Sequence, residues 1–244
     1  KKFNSPKYRL TAQFLIVILF IINFDIKIIS TRLQFLDFLM ANYYFNLFFV
    51  TFCFLILING TNFIDGLNGL VLTYYLIVLI ILYKLNLLAG INFTDLNSIH
   101  FCYFLFVLIV FNFLNKFYLG DSGAYLLGLL IGFILIKIHN FNPNISPFFV
   151  ALLLWYPCFE NLFSILRKFK LGRSPVSPDS KHFHHLLFYF IKKKFKLNDL
   201  ICNNCSSLTI NLYNLIILFF GSYNIYNSQL LIILILVNSL VYTL

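Results

Sequence analysis

The chain has 244 residues, of which 61% are hydrophobic and only 11% charged, with a mean hydropathy of +0.88 and a formal net charge of +10. Eighteen Lys and Arg with eight Asp and Glu cannot supply the charged shell that a soluble domain of this length needs. The composition points to a polytopic helical membrane protein, because in lipid only helices or closed barrels satisfy their own backbone. A barrel is excluded: the apolar runs are continuous for about 16–22 residues, enough for roughly 30 Å of hydrocarbon, and they lack period-two alternation.

The chain opens on a basic stretch with no initiator Met, and a first span is expected over Arg9–Ile29, then a second over Phe45–Ile58. Between that span and the next, Leu70–Leu88, lies the polar segment NGTNFIDGLNGL (Asn59–Leu70). Asn and Asp could simply cap the following helix. That accounts for one or two of them, not for Asn59, Asn62, Asp65 and Asn68 together with three glycines at a membrane edge.

A fourth span is expected over Ile99–Leu114, followed by a second polar patch, Asn112–Gly123, and a span over Ala124–Ile138. Here Asp121 stands between Gly120 and the Ser122–Gly123 pair, with Lys116 nearby. An acidic group at this depth is costly unless it meets a cation, a metal or hydrogen-bond donors, although a helix N-cap would also suit it.

A sixth span, Phe148–Leu166, leads into the third patch, Arg167–His185. Two prolines forbid a continuous helix across Ser174–Pro178. The patch carries Arg167, Lys168, Lys170, Arg173 and Lys181, then His182, His184 and His185. Helical spacing puts His182 and His185 on one face and turns His184 away. A mixed Arg, Lys and His run suits phosphate better than zinc. Two further spans, Leu208–Ser222 and Leu230–Leu244, follow a basic helix at Lys192–Lys196 and suggest no chemistry. The abundance of Phe, Ile, Asn and Lys reads as nucleotide-composition bias.

The expected fold is therefore all-α: a polytopic transmembrane bundle of about eight spans forming one domain, 1–244, with site loops near 59–70, 112–123 and 166–187. Threaded through a bilayer, all three patches reach one face. That face receives every Lys and Arg except Lys27, Arg32, Lys84 and Lys137, and the bias marks it as cytoplasmic. Charge on short membrane loops fits anionic headgroups and argues against nucleic acid. The five cysteines give no disulfide framework; Cys202 and Cys205 form a lone C-x-x-C. Glu160, the in-span carboxylate that could argue for a transporter, is expected to be hydrogen-bonded near a helix end. His100 and His139, at the far-side ends, read as packing residues. Carboxylates with open geometry suit Mg²⁺ bridging substrate phosphates, with Mn²⁺ the alternative, so the patches read as a phosphoryl-transfer site at a membrane interface.

At these residues the chain resembles the polyprenyl-phosphate N-acetylhexosamine-1-phosphate transferases, glycosyltransferase family 4, whose superfamily includes phospho-N-acetylmuramoyl-pentapeptide transferase. The resemblance runs from about Ser5 to Leu187. It rests on Leu10–Gln13 after a basic opening, on NGTNFIDGLNGL, on FNFLNKFYLGDSGAYLLG and on GRSPVSPDSKHFHHLL. The stretch Asn142–Arg167 is more similar to members serving surface-polysaccharide pathways. The resemblance implies transfer of a sugar-1-phosphate from a UDP-N-acetylated sugar to polyprenyl phosphate at a bacterial inner membrane, initiating polysaccharide or O-antigen synthesis.

It also implies roles. Asp121 matches the metal-coordinating Asp, and Asp65 the Asp of the Asp-Gly pair, so these two are the candidate catalytic and metal-binding residues. Asn59, Asn62, Asn68, Lys116, Arg173, His182, His184 and His185 match substrate-binding positions. Asn68 departs from the family, where many members carry a second Asp. The family's adjacent Asp pair is absent, and the expectation is that it lies just upstream of Lys1, so that this stretch alone would be inactive or impaired. Rival readings are a truncated, inactive homologue, a transporter, and a CDP-alcohol phosphotransferase, whose later motif positions are missing after Asp65–Gly66. Oligomeric state is not legible.

Overall fold

The structure is a computed structural model and describes residues 6–88, 98–172 and 182–243. Among these residues every regular element is a helix: α1 (Pro6–Asn23), α2 (Gln34–Met40), α3 (Tyr43–Ile64), α4 (Leu70–Lys84), α5 (Ser98–Phe113), α6 (Gly120–Phe141), α7 (Pro147–Leu153), α8 (Trp155–Lys170), α9 (Phe183–Phe195), α10 (Asp199–Ser222) and α11 (Ser228–Thr243). The all-helical membrane character expected from composition holds. The count of about eight spans is not confirmed: among the described residues α3, α6 and α10 are each long and apolar enough to cross a membrane, and α7 with α8, bent by 75°, makes up to a fourth. The helices of 10–17 residues, among them α4 and α11, are apolar but shorter.

Local chemistry explains where the elements stop. The first helix ends at Asn23 instead of Ile29 because Asp25 adopts a left-handed backbone, φ 43°, while Ile26 N–H returns to the Ile21 carbonyl at 3.0 Å. This is a Schellman turn with Asp in the place usually held by Gly. Asn86 (φ 55°) ends α4 in the same way and Asn115 (φ 60°) ends α5; Asn tolerates this conformation better than other side chains. The expected single span Phe148–Leu166 breaks at Leu154. Pro157 has no N–H to bond back to Leu153, and its ring crowds that carbonyl.

α3 is the central pillar, packed by α1, α6 and α8. Its crossing with α8 is close: a Cβ on Gly60 would collide with the backbone carbonyl of Pro157, and Asn161 Nδ2 donates to the Ile56 carbonyl at 2.9 Å. Small residues and interhelical amides are what let helices approach in lipid, where no hydrophobic drive separates protein from solvent. α4 is tied in by a Thr61–Tyr75 hydroxyl pair at 2.5 Å and by Tyr74 donating to the Leu153 carbonyl at 3.0 Å. At the end of the bundle away from the three patches, Arg32 donates to the carbonyls of Asn144 and Tyr226 and to Ser228 Oγ. His139, there, shares a hydrogen bond with the Ser30 carbonyl at 2.9 Å, a packing role as expected.

Candidate active site

The first patch begins where α3 runs out. Asp65 is its C-terminal cap residue, and Gly69, at φ 73°, turns the chain into α4. The Gly69 amide donates to Asn112 Oδ1, and Asn112 Nδ2 donates to the Phe117 carbonyl at 2.5 Å. One buried asparagine thus joins the first patch to the second. Asn68 faces the same way: its side chain donates to Asn115 Oδ1 at 3.3 Å, and its amide to Asn203 Oδ1 at 2.6 Å. α10 also contributes Asn204, donating to the Phe113 carbonyl, and Asn211, donating to the Leu70 carbonyl.

Asp121 lies in the first turn of α6, where the helix dipole favours an anion. It does not serve as the cap; the capping position, Leu119, has no side-chain bond. Its two oxygens point away from the helix instead. Oδ1 accepts from Asn62 Nδ2 and Oδ2 from Arg9 Nη1, both at 2.9 Å. Tyr125 donates to Asn62 Oδ1 at 3.4 Å, and Asn59 Nδ2 donates to Gln13 Oε1 at 3.0 Å. Asp65 is close enough to feel Asp121. Burial, then the Asp121 charge, pushes its carboxyl up to about 7, against the opposing pull of the Gly120 amide.

The histidines close the third side. His182 is not helical: it precedes α9 with extended backbone (φ −71°, ψ 144°), which corrects the expectation that His184 turns away from the other two. The three rings cluster, His184 lying 4.2 Å from His185 and 5.6 Å from His182 between centroids, and His182 lying 6.2 Å from His185. His184 is fully buried, and neither ring nitrogen has a partner among the described residues. Burial, then His185 and His182, holds its pKa well below the usual imidazole range. It sits against the first patch so tightly that a Cβ on Gly66 would overlap His184 Nε2. Lys168, buried in the last turn of α8, places its ammonium 5.6 Å from the Phe63 ring. Lys116 is exposed in the α5–α6 turn. Arg173 and Lys181 lie outside the described residues.

Asp65, Asp121, Asn62 and the histidine cluster thus meet at one end of the bundle, with Asn59 bonded to α1 and Asn68 to the α5–α6 turn and α10. Four participants were not anticipated. Arg9, Gln13 and Tyr125 look like ordinary flanks of apolar spans, and only their partners in space reveal them. Glu160, noted as a lone carboxylate, sits well inside α8 and not near its end, and it bonds His182 Nδ1 at 2.7 Å. Among the described residues no three His, Cys, Asp or Glu groups gather as a metal-binding set.

The model of glycosyl transferase family 4 matches residues 3–139. The undecaprenyl-phosphate alpha-N-acetylglucosaminyl 1-phosphate transferase of Thermotoga maritima is 29% identical over 163 residues, covering 65% of this chain and 48% of that protein. The protein of the same name from Escherichia coli O157:H7 is 25% identical over 193 residues, 75% of this chain and 52% of that protein. A decaprenyl-phosphate N-acetylglucosaminephosphotransferase of Mycolicibacterium smegmatis is 34% identical over 84 residues, 30% and 21% of the two chains. The chain therefore spans about half the length of the first two relatives. No solved structure matches it significantly. Because the family match covers more than half of its residues and includes the Asp65 and Asp121 patches, the chain belongs to glycosyl transferase family 4.

Proposed function

We propose that this chain carries the site of an integral membrane enzyme that moves an N-acetylhexosamine-1-phosphate from a UDP-sugar to polyprenyl phosphate, releasing UMP. The observation that carries the reading is the meeting of Asp65, Asp121 and Asn62 with the His182–His185 cluster and Arg9 at one end of the bundle. The names of the relatives support the polyprenyl phosphate acceptor and the N-acetylglucosamine phosphate group that is moved. In the proposed step an oxygen of the lipid phosphate attacks the β-phosphorus. The bond from that phosphorus to the bridging oxygen breaks, and UMP leaves with the electron pair. The lipid phosphate is already anionic near neutral pH, so the step needs no strong base.

The donor set fits Mg²⁺. Two carboxylates that repel one another, supported by an amide, are hard oxygen ligands with room left for phosphate oxygens and water. Asp121 and Asp65 would hold the ion, which would supply charge neutralisation to the diphosphate. Asn62 orients the Asp121 carboxylate, and Arg9 lies beside it as a cation for a phosphate oxygen. The histidines face the Asp65 loop, where they can stabilise charge developing on the leaving UMP. Lys116 and Arg173 add positive charge for the phosphates, and Asn59 and Asn68 shape the loop that receives the sugar nucleotide.

An apolar cavity of about 390 Å³ supports a long-chain acceptor. It is lined by Leu57 of α3, Gly132 of α6 and Leu162 of α8, beside the 75° bend, and by Thr31 and His139 toward the end of the bundle away from the patches. The Lys and Arg bias supports a bacterial inner-membrane protein with the site facing the cytoplasm, and Asn142–Arg167 supports a role in starting a surface polysaccharide. The test is UMP release from UDP-N-acetylglucosamine and polyprenyl phosphate by the complete protein. Asp121→Asn is expected to abolish it; near-wild-type turnover would refute the assignment.

A further inference from the structure

Glu160 has 1% of its side chain exposed, a setting in which a carboxylate is costly unless its oxygens are met. Three donors meet it. His182 Nδ1 at 2.7 Å and the Phe183 amide at 3.4 Å converge on Oε1, and the Tyr242 hydroxyl donates to Oε2. Phe183 is the first residue of α9, and His182 in the capping position makes no side-chain cap of its own. Glu160 therefore caps α9 from a neighbouring helix, using an oxygen that also takes the imidazole. Tyr242 comes from α11, and its ring is held edge-on by Phe159 at 5.0 Å and Phe163 at 5.4 Å. Glu160, His182 and Tyr242 all lie beyond the part matched by the family model.

We propose that Glu160 and Tyr242 are positioning residues that hold His182 in its Nδ1–H form and thereby set the His182–His185 cluster against the Asp65 loop. An ionised carboxylate can only accept, so the ring nitrogen facing it must carry the proton. That leaves Nε2 as the free functional atom of the neutral ring, the arrangement by which carboxylates orient working histidines elsewhere. Tyr242 keeps the carboxylate from rotating by holding its second oxygen. The ring contacts His182–His184 and His184–Gly66 then pass this orientation to the loop bearing Asp65.

The kinetic arm of the test rests on the proposed transferase reading; the spectroscopic arm does not. The full chain, labelled with [¹⁵N]histidine in lipid nanodiscs, gives ring nitrogen shifts for each histidine, with His182 assigned by its loss in His182→Gln. At neutral pH the wild type is expected to show His182 protonated at Nδ1. Glu160→Gln, whose amide can donate to that nitrogen, is expected to shift the population toward Nε2–H; Tyr242→Phe, which removes only a hydroxyl, to give a mixture. An unchanged His182 pattern in both variants overturns the proposal. In UMP release, both variants are expected to lose about 10- to 100-fold in kcat per folded molecule, as supporting partners of working histidines do, with partial recovery in Glu160→Asp. Lower thermal midpoints with unchanged turnover per folded molecule would mean a purely structural role and also overturn it. A complete wild-type protein that releases no UMP defeats the transferase reading, while the nitrogen shifts still decide the positioning.

Discussion

Replacing Asp65 by Asn should make the protein more stable at neutral pH and above, and leave it nearly unchanged only below pH 3.8. The Asp65 carboxyl is raised from 3.8 to about 7 by burial and by Asp121, so the folded state binds its proton more tightly than the unfolded chain does. That stabilisation is fully present below pH 3.8 and is lost as pH rises through about 7. At 1.36 kcal/mol per pH unit, the rise amounts to a loss of at most ~4 kcal/mol, and partial solvent access to the site lowers it. Asn keeps the shape and still accepts from Gly120, but carries no charge. Thermal midpoints in detergent, for wild type and Asp65→Asn, should therefore be close only below pH 3.8, where Asp65 is neutral in the folded and the unfolded chain alike. At about pH 8 the variant should melt higher, by roughly 2–4 °C for each kcal/mol recovered. Added Mg²⁺ should raise the wild-type midpoint at the higher pH and leave that of Asp65→Asn nearly still. An equal offset between the proteins at both pH values would refute the electrostatic reasoning.

Gly60→Ala drives a Cβ into the Pro157 carbonyl, a backbone atom that cannot swing aside, and overpacking of this kind costs about 1–3 kcal/mol; a depressed thermal midpoint checks it. Asn203→Ala leaves the Asn68 amide without its acceptor, a loss of about 1–3 kcal/mol, and should lower both the midpoint and UMP release although Asn203 is far from Asp65 in sequence. Lys192→Ala removes the exposed Lys192–Asp199 pair, 2.7 Å long, and should leave the midpoint unchanged at physiological salt.

The three polar patches were legible because ionisable groups are conspicuous in an apolar sequence, and lipid makes them expensive without a purpose. The same logic flagged Glu160 but could not supply its partner: His182 is 22 positions away, just ahead of another helix, and no local period links them. Arg9 meets Asp121 across 112 positions, and a Lys or Arg at a span edge already has a sufficient explanation as a topology signal. The tail was the least readable part. Its asparagines looked like compositional noise, yet Asn203, Asn204 and Asn211 receive or brace the two loops that carry the carboxylates. The bend at Leu154 had one local cause in view, Pro157, but apolar continuity over Phe148–Leu166 masked it. Helix ends were misjudged where Asp25 and Asn86 adopt left-handed backbone, because these residues end helices less recognisably than glycine.

The clasp formed by α10 and α11 also bears on biosynthesis. Asn203 reaches Asn68 across 135 positions, Asn211 reaches Leu70 across 141, and Tyr242 reaches Glu160 across 82. A chain made at about 5–20 residues per second emits its Asp65 and Asp121 loops many seconds before these partners exist. During that interval the loops have only their bonds to one another and to α1 and α3, such as Asn112 to Gly69 and Arg9 to Asp121, and they are open to chaperones, proteases and wrong helix pairings. The site can mature only when α10 and α11 have inserted. Mutations in this distant tail should therefore show first as low yield of assembled protein, before any defect in the chemistry of the molecules that do assemble.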